Sequence, residues 1–99
     1  AQEGKIPICY SITPFVIFRP FELLRNYLDH EKIPVKLVGA GRDKEYGELG
    51  FSHWGVDDKI HMNSFKNITK SWPKDDKEMR EVFHELINNN KPVYLNLSR

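Results

Sequence analysis

The sequence predicts an α/β fold, a three-layer sandwich around a mainly parallel sheet. Three short apolar runs read as buried strands: Ile6 to Tyr10, Pro34 to Gly39 and Val93 to Leu97. Between them, apolar residues recur at helical spacing, most clearly Met79, Val82, Phe83, Leu86 and Ile87. The resulting order, β-α-β-loop-α-β-α-β, implies right-handed crossovers and parallel pairing.

Taken in order, Ile6 to Tyr10 is expected to be buried on both faces, and Ser11 to Pro14 to form an exit loop. Phe15, Phe18 and Phe21, continued by Leu24 and Leu28, lie on one helical face. Pro20 is tolerated only in a first turn, so the regular helix should begin near Arg19 or Pro20. It should end between His30 and Lys32, because the Ile33-Pro34 pair favours an extended chain.

Beyond the second strand, Ala40 to Gly50 is a long, charged loop punctuated by glycines, and long loops of this kind are more often functional than idle. Ser52 suits the N-cap of a helix from about His53 to Phe65. Asn67 to Trp72 is a weakly patterned third strand, stopped by Pro73. Asp75 and Asp76 favour the start of the last helix through its dipole. Asn88 to Asn90 end it, and Pro92 leads into the fourth strand.

Composition sets outer limits. Ninety-nine residues allow one domain, and 39% hydrophobic with 29% charged residues describes an ordinary globular chain. A net charge of +1 with interleaved signs supplies no footprint for nucleic acid. The longest apolar run is far short of the ~20 residues of a membrane span. The single cysteine, Cys9, excludes an internal disulfide and fits a reducing, cytoplasmic setting, where it is expected to be buried and inert. Ala1 to Gly4 resembles the last turn of a glycine-terminated helix, so the segment is expected to be part of a larger unit.

The residues that could carry chemistry cluster around the glycine loop. Three phenylalanines at three-residue spacing could stack on a planar ring; the same spacing also describes hydrophobic core. His53, Asp57 and His61 recur at four-residue spacing, which could place two imidazoles and a carboxylate on one helix face. No further ligand has telling spacing, so no metal site is expected. His53 alone, at a helix start beside the loop, reads as a proton-transfer or hydrogen-bonding residue, or as a surface cap. Gly39, Gly41, Gly47 and Gly50 fit neither a phosphate loop nor the dinucleotide fingerprint. They are expected at positive φ in a loop that turns closely around a ligand or a neighbouring chain.

The segment YGELGFSHWGVDD resembles the motif Y-G-x-x-G-P-T-H-x-x-x-E-D of the pyrimidine-binding domain of the transketolase family. Tyr46, Gly47, Gly50, Ser52, His53, Asp57 and Asp58 fall in register. GKIP at the first strand, Phe15, Phe18 and Phe21 as F-x-x-F-x-x-[YF], IPVKLVGAG, the spacing of Asn67, Pro73 and Asp75, and PVYLNLSR extend the likeness over essentially the whole chain, residues 1–99.

This resemblance implies a thiamine diphosphate enzyme that cleaves or transfers a two-carbon ketol unit of a sugar-like substrate. It implies that Phe15, Phe18 and Phe21 form the pyrimidine pocket and that His53 faces the reacting centre. The cofactor's diphosphate and its magnesium ion would be held by a separate domain or subunit, in a homodimer or heterotetramer, so this segment alone would be inactive. Two departures stand out. The family's activating glutamate belongs upstream of Ala1, and Leu49 occupies the position where many transketolases carry a sugar-reading aspartate; Phe51 also replaces the usual proline. These departures motivate an alternative, a non-catalytic interaction module that keeps the fold and pairs with an active partner.

Overall fold

In the computed structural model, residues 6–98 are described, without the side chains of Leu86 and Ile87. The expected helix end at Ala1 to Gly4 lies outside the described residues. The elements run β1 (Ile8–Ile12), α1 (Thr13–Ile17), α2 (Phe21–Leu23) continuing as a π-helical segment (Leu24–Asp29), and β2 (Lys36–Ala40). Two 3₁₀ turns (Gly47–Leu49 and Phe51–His53), α3 (Asp58–Met62), β3 (Thr69–Ser71), α4 (Asp76–Ile87) and β4 (Val93–Leu97) follow. The sheet has the order β1-β2-β4-β3 and every pair is parallel. The α/β expectation therefore holds.

The central strands alternate as a sheet covered on both faces requires. Leu37 and Tyr94 are paired across β2 and β4 and join one core with Val16, Ile17, Leu24, Leu28, Met62, Phe65 and Ile68. On the opposite face Val38, Val93 and Leu95 border a small apolar crevice with Phe83 of α4. Lys36 opens β2 with its side chain buried, and its ammonium donates to Asn89 O at 2.9 Å, Asn89 Oδ1 at 2.8 Å and Lys91 O at 2.5 Å. It thereby binds oxygens just past the end of α4, of which Asn89 Oδ1 also accepts from the Lys91 amide at 3.1 Å. Burial holds its pKa below the usual lysine value.

Several local expectations are corrected. β1 is an exposed edge, not a strand buried on both faces: Ile8 is 48% and Tyr10 68% exposed, and Cys9 is also exposed. The cause is position, since among the described strands β1 pairs only with β2. The expected exit loop is instead the end of β1 followed directly by α1. Pro14 is compatible with the first turn of α1, where no amide donor is required. A break over Phe18 to Pro20 separates α1 from α2; the start of α2 at Phe21, with Pro20 as N-cap, agrees with the expected start near Arg19 or Pro20, but most of the helix that follows is π-helical. Ser52 caps no helix; α3 starts six residues later and is one short stretch. The last helix does start at Asp75 and Asp76 as expected, and Asp75 is its N-cap, accepting from the Glu78 amide at 2.8 Å.

Candidate functional site

The C-terminal ends of β1, β2 and β4 open onto the same side of the molecule. Parallel α/β sheets form ligand crevices at this end. From β1 the chain turns directly into α1, which carries Phe15 and leads to Phe18. From β2 it enters the glycine loop, whose two ends are tied to each other by one isolated antiparallel bridge between Asp43 and Gly55. The loop is held by the Gly41 amide on Leu97 O and the Gly55 amide on Asp43 O, both at 2.8 Å.

Two glycines of this loop are required by its path. Gly41 has φ +97°, and a β-carbon there would lie 2.5 Å from the Tyr46 ring. Gly50 has φ +82° between the two 3₁₀ turns. Gly47 is also at positive φ. Gly39 is not: it lies within β2, and its bare α-carbon makes room for Thr13 and the Tyr94 hydroxyl, each 3.0 Å from where a β-carbon would be.

Between α1, the loop and α3 lies an open cleft of about 670 Å³. Phe15, Phe18 and Phe21 line it together with Pro14 and Arg19; Phe51, Ser52, Trp54, Asp57 and His61 form the opposite side. The three phenylalanines are half-buried but unequal. Phe18 and Phe21 stack on each other with centroids 6.5 Å apart and also pack on the core, Phe21 against Phe65 at 5.1 Å. Phe15 stands apart from that core. Its ring meets His53 edge-on at 4.9 Å, and the Arg19 guanidinium lies 4.3 Å above it. An exposed cation–π contact of this kind is worth only about 0.5–1 kcal/mol, so an entering ring could displace Arg19 at little cost.

His53 is fixed from several sides. Its Nδ1 is 3.0 Å from the Ser52 hydroxyl, and its ring lies 6.4 Å from that of Tyr46. His53 itself is not among the residues that line the cleft and adjoins it through Phe15; with Nδ1 engaged, Nε2 is the nitrogen left for a further hydrogen bond. His61 contacts Phe18 edge-on at 5.2 Å and stands 3.6 Å from the Asp57 carboxylate. His53 does not join that pair, because it ends a 3₁₀ turn and the chain then runs extended through Trp54 and turns at Val56 and Asp57 before α3 begins, so no continuous helix links them. The described residues contain no group of three or more histidine, cysteine, aspartate or glutamate side chains able to hold a metal.

Asp58 departs from the role of an exposed first-turn acid. It is buried and accepts from Trp72 Nε1 and the Tyr94 hydroxyl, each at 2.8 Å. Burial and the neighbouring carboxylate push the Tyr94 phenol far above its ordinary pKa. Sequence reasoning missed Arg19 and Trp54 as cleft residues, and it missed Thr13 and Asn96 beneath the cleft. Asn96 carried a readable signal as the one amide side chain within β4.

Comparison with known proteins gives a consistent family. The chain is 32% identical over 97 residues to an apulose-4-phosphate transketolase subunit of Actinobacillus succinogenes. It is 29% identical over 99 residues to a putative transketolase C-terminal section of Methanocaldococcus jannaschii. It is 27% identical over 99 residues to a 6-deoxy-6-sulfo-D-fructose transketolase subunit of a Clostridium species. These matches take in 98–100% of this chain but 31% of each relative, so the chain spans about a third of their length. A solved split-gene transketolase, an inactive beta4 tetramer, superposes with a TM-score of 0.83 at 26% identity, over 99% of this chain and 31% of that one. No protein-family model matches the chain. The four-stranded parallel sheet, these relatives and the split-gene structure together support a part of a C-terminal, pyrimidine-binding domain of transketolase type.

Proposed function

We propose that this segment supplies the pyrimidine wall and a proton-handling histidine to a thiamine diphosphate enzyme of transketolase type. The whole enzyme would cleave or transfer a two-carbon ketol unit of a sugar-like substrate, and a separate domain or subunit would hold the diphosphate and its magnesium ion. The observation that carries this reading is the half-buried aromatic wall, Phe15 and Phe18, facing an open cleft of about 670 Å³ and meeting His53 at its edge. Relatives named as a transketolase subunit or as a C-terminal section support the need for a partner chain.

The residues present fit such a group. A flat heteroaromatic ring needs an apolar face on which to stack, and Phe15 and Phe18 offer one beside the sheet end. When bound, the cofactor supplies carbanion stabilisation; the protein supplies binding, orientation and electrostatics. Phe15, Phe18 and Phe21 exclude water from one side of the ring. Ser52 orients the His53 imidazole through Nδ1, so that Nε2 can give or take a proton at a substrate oxygen. Asp57 stands beside His61 and can keep that second imidazole turned toward Phe18.

Titration calorimetry on the complete protein with its diphosphate-binding partner tests the reading. Thiamine diphosphate with magnesium should give a binding heat that weakens at least ~10-fold, about 1.4 kcal/mol, in Phe15→Ala and in Phe18→Ala. No heat with the wild-type assembly, or affinity indifferent to both substitutions, overturns it and favours the non-catalytic interaction module.

A further inference from the structure

Beneath the cleft, five segments meet in a small polar nest, and its geometry goes beyond what packing requires. Asn96 is fully buried in β4, opposite Gly39 of β2. Its Nδ2 donates to Thr13 Oγ1 at 3.0 Å, with Gly41 O at 3.2 Å and Tyr94 Oη at 3.3 Å. The Thr13 hydroxyl donates in turn to Gly41 O at 2.7 Å. From the rim, Arg42 closes the nest: its Nε donates to Asn96 Oδ1 at 2.8 Å, and its Nη2 to Asn96 O at 3.0 Å and to Pro73 O.

We propose that Asn96 and Arg42 are positioning residues that set the two walls of the aromatic cleft against each other. Each wall starts at a member of the nest. Thr13 begins the helix that carries Phe15. Gly41 and Arg42 begin the loop that leads to Phe51 and Ser52 of the opposite wall, with His53 next in the chain. Asp58, bonded to Tyr94 on the same face of the sheet, begins the helix that carries His61. The contacts between walls, Phe15 with His53 and Phe18 with His61, are therefore held from below by directional bonds. Apolar packing has no such directionality, and apolar groups of matching shape could hold two parallel strands as well. A buried polar network with every described side-chain atom satisfied instead selects one arrangement.

The inference rests on the cleft being the ligand site, but its test does not need the ligand. Histidine rings are labelled with carbon-13 in the complete protein, and the His53, His61, His30 and His84 signals are followed by NMR. His30 and His84 lie outside the nest and serve as internal references. Arg42→Lys keeps the charge but loses the planar fork; it should move the His53 signal and leave His30 and His84 in place. Asn96→Asp keeps an acceptor for Arg42 and loses the donor to Thr13; it should move both His53 and His61. Should Asn96→Asp fail to fold, Arg42→Lys at its half-buried position decides alone. Unmoved His53 in a folded Arg42→Lys protein overturns the proposal, as do equal displacements of all four histidines, which would mean general loosening. A second arm titrates thiamine diphosphate with magnesium, whose affinity should fall on the order of 10-fold in Arg42→Lys, as expected of a displaced wall. A wild-type protein that binds none would sink the cofactor reading, while the histidine signals still decide the positioning claim.

Discussion

The Tyr94 hydroxyl donates to the Asp58 carboxylate at 2.8 Å inside the core, linking the central strand β4 to the first turn of α3. Trp72 Nε1 bonds the same carboxylate oxygen, so two donors hold one buried charge. Removing one donor leaves the buried carboxylate with one of its two side-chain donors among the described residues. Tyr94→Phe should therefore cost about 1.5–3 kcal/mol, the range for a hydrogen bond to a charged group, read as a lower urea midpoint at unchanged slope.

The same phenol makes a pH prediction. Its folded pKa is raised above the ordinary 10.0, by burial first and then by Asp58. Below pH 10 the phenol is neutral in both states and its contribution is complete. Above pH 10 the unfolded chain loses that proton while the folded chain keeps it, so stability falls with a slope approaching about 1.4 kcal/mol per pH unit. Lys36 acts with the opposite sign on approach to pH 10.5, because its folded pKa is lowered. The Tyr94 component is thus the difference between wild type and Tyr94→Phe across pH 9–11.5. An identical slope in both proteins would refute it.

Gly39 of β2 and the loop glycines Gly41 and Gly47 should separate by cause. Gly39→Ala places a methyl 3.0 Å from Thr13 Oγ1 and the Tyr94 hydroxyl and 3.3 Å from the Thr13 backbone, so overpacking should cost about 1–3 kcal/mol. Gly41→Ala adds positive-φ strain to a 2.5 Å clash with Tyr46 and should cost more. Gly47→Ala meets nothing within 4 Å and bears backbone strain alone, about 1 kcal/mol. Thermal denaturation of the three variants should rank them Gly41, Gly39, Gly47 from worst to mildest.

Phe15 and Phe18 line the same cleft, but only Phe18 also packs on the core. Phe18→Ala should destabilise by about 2–4 kcal/mol, toward the range for buried phenylalanine. Phe15→Ala should cost no more than about 1 kcal/mol, because its partners are the His53 edge and the Arg19 cation. Paired denaturation curves check this. Equal losses would mean that Phe15 is ordinary core.

The exposed edge strand is testable by chemistry. Cys9 lies exposed on β1. In the folded 99-residue chain a maleimide should label it at a rate similar to that of the urea-unfolded chain. Protection of many-fold would restore the expectation of a buried thiol.

What the sequence determined by itself is the alternation of elements and the core of the sheet. β2 and β4 read correctly because a strand covered on both faces writes burial into a nearly continuous apolar run, interrupted here only by Lys36 and Asn96. The start of α4 read correctly because Asp75 is a local cap. The family could also be recognised, since its motifs are local strings with fixed spacing. Tertiary structure alone decided the rest. The apolar run of β1 does not say that its strand is an edge, because edge or centre depends on which strands pair. Ser52 and Asp58 have the residue types of a cap and a first-turn acid, yet the first turns toward His53 and the second is taken by Tyr94 and Trp72. Thr13 and Asn96 lie 83 residues apart. No local pattern joins them, and only the parallel register of β1, β2 and β4 brings them within hydrogen-bond reach beneath the cleft.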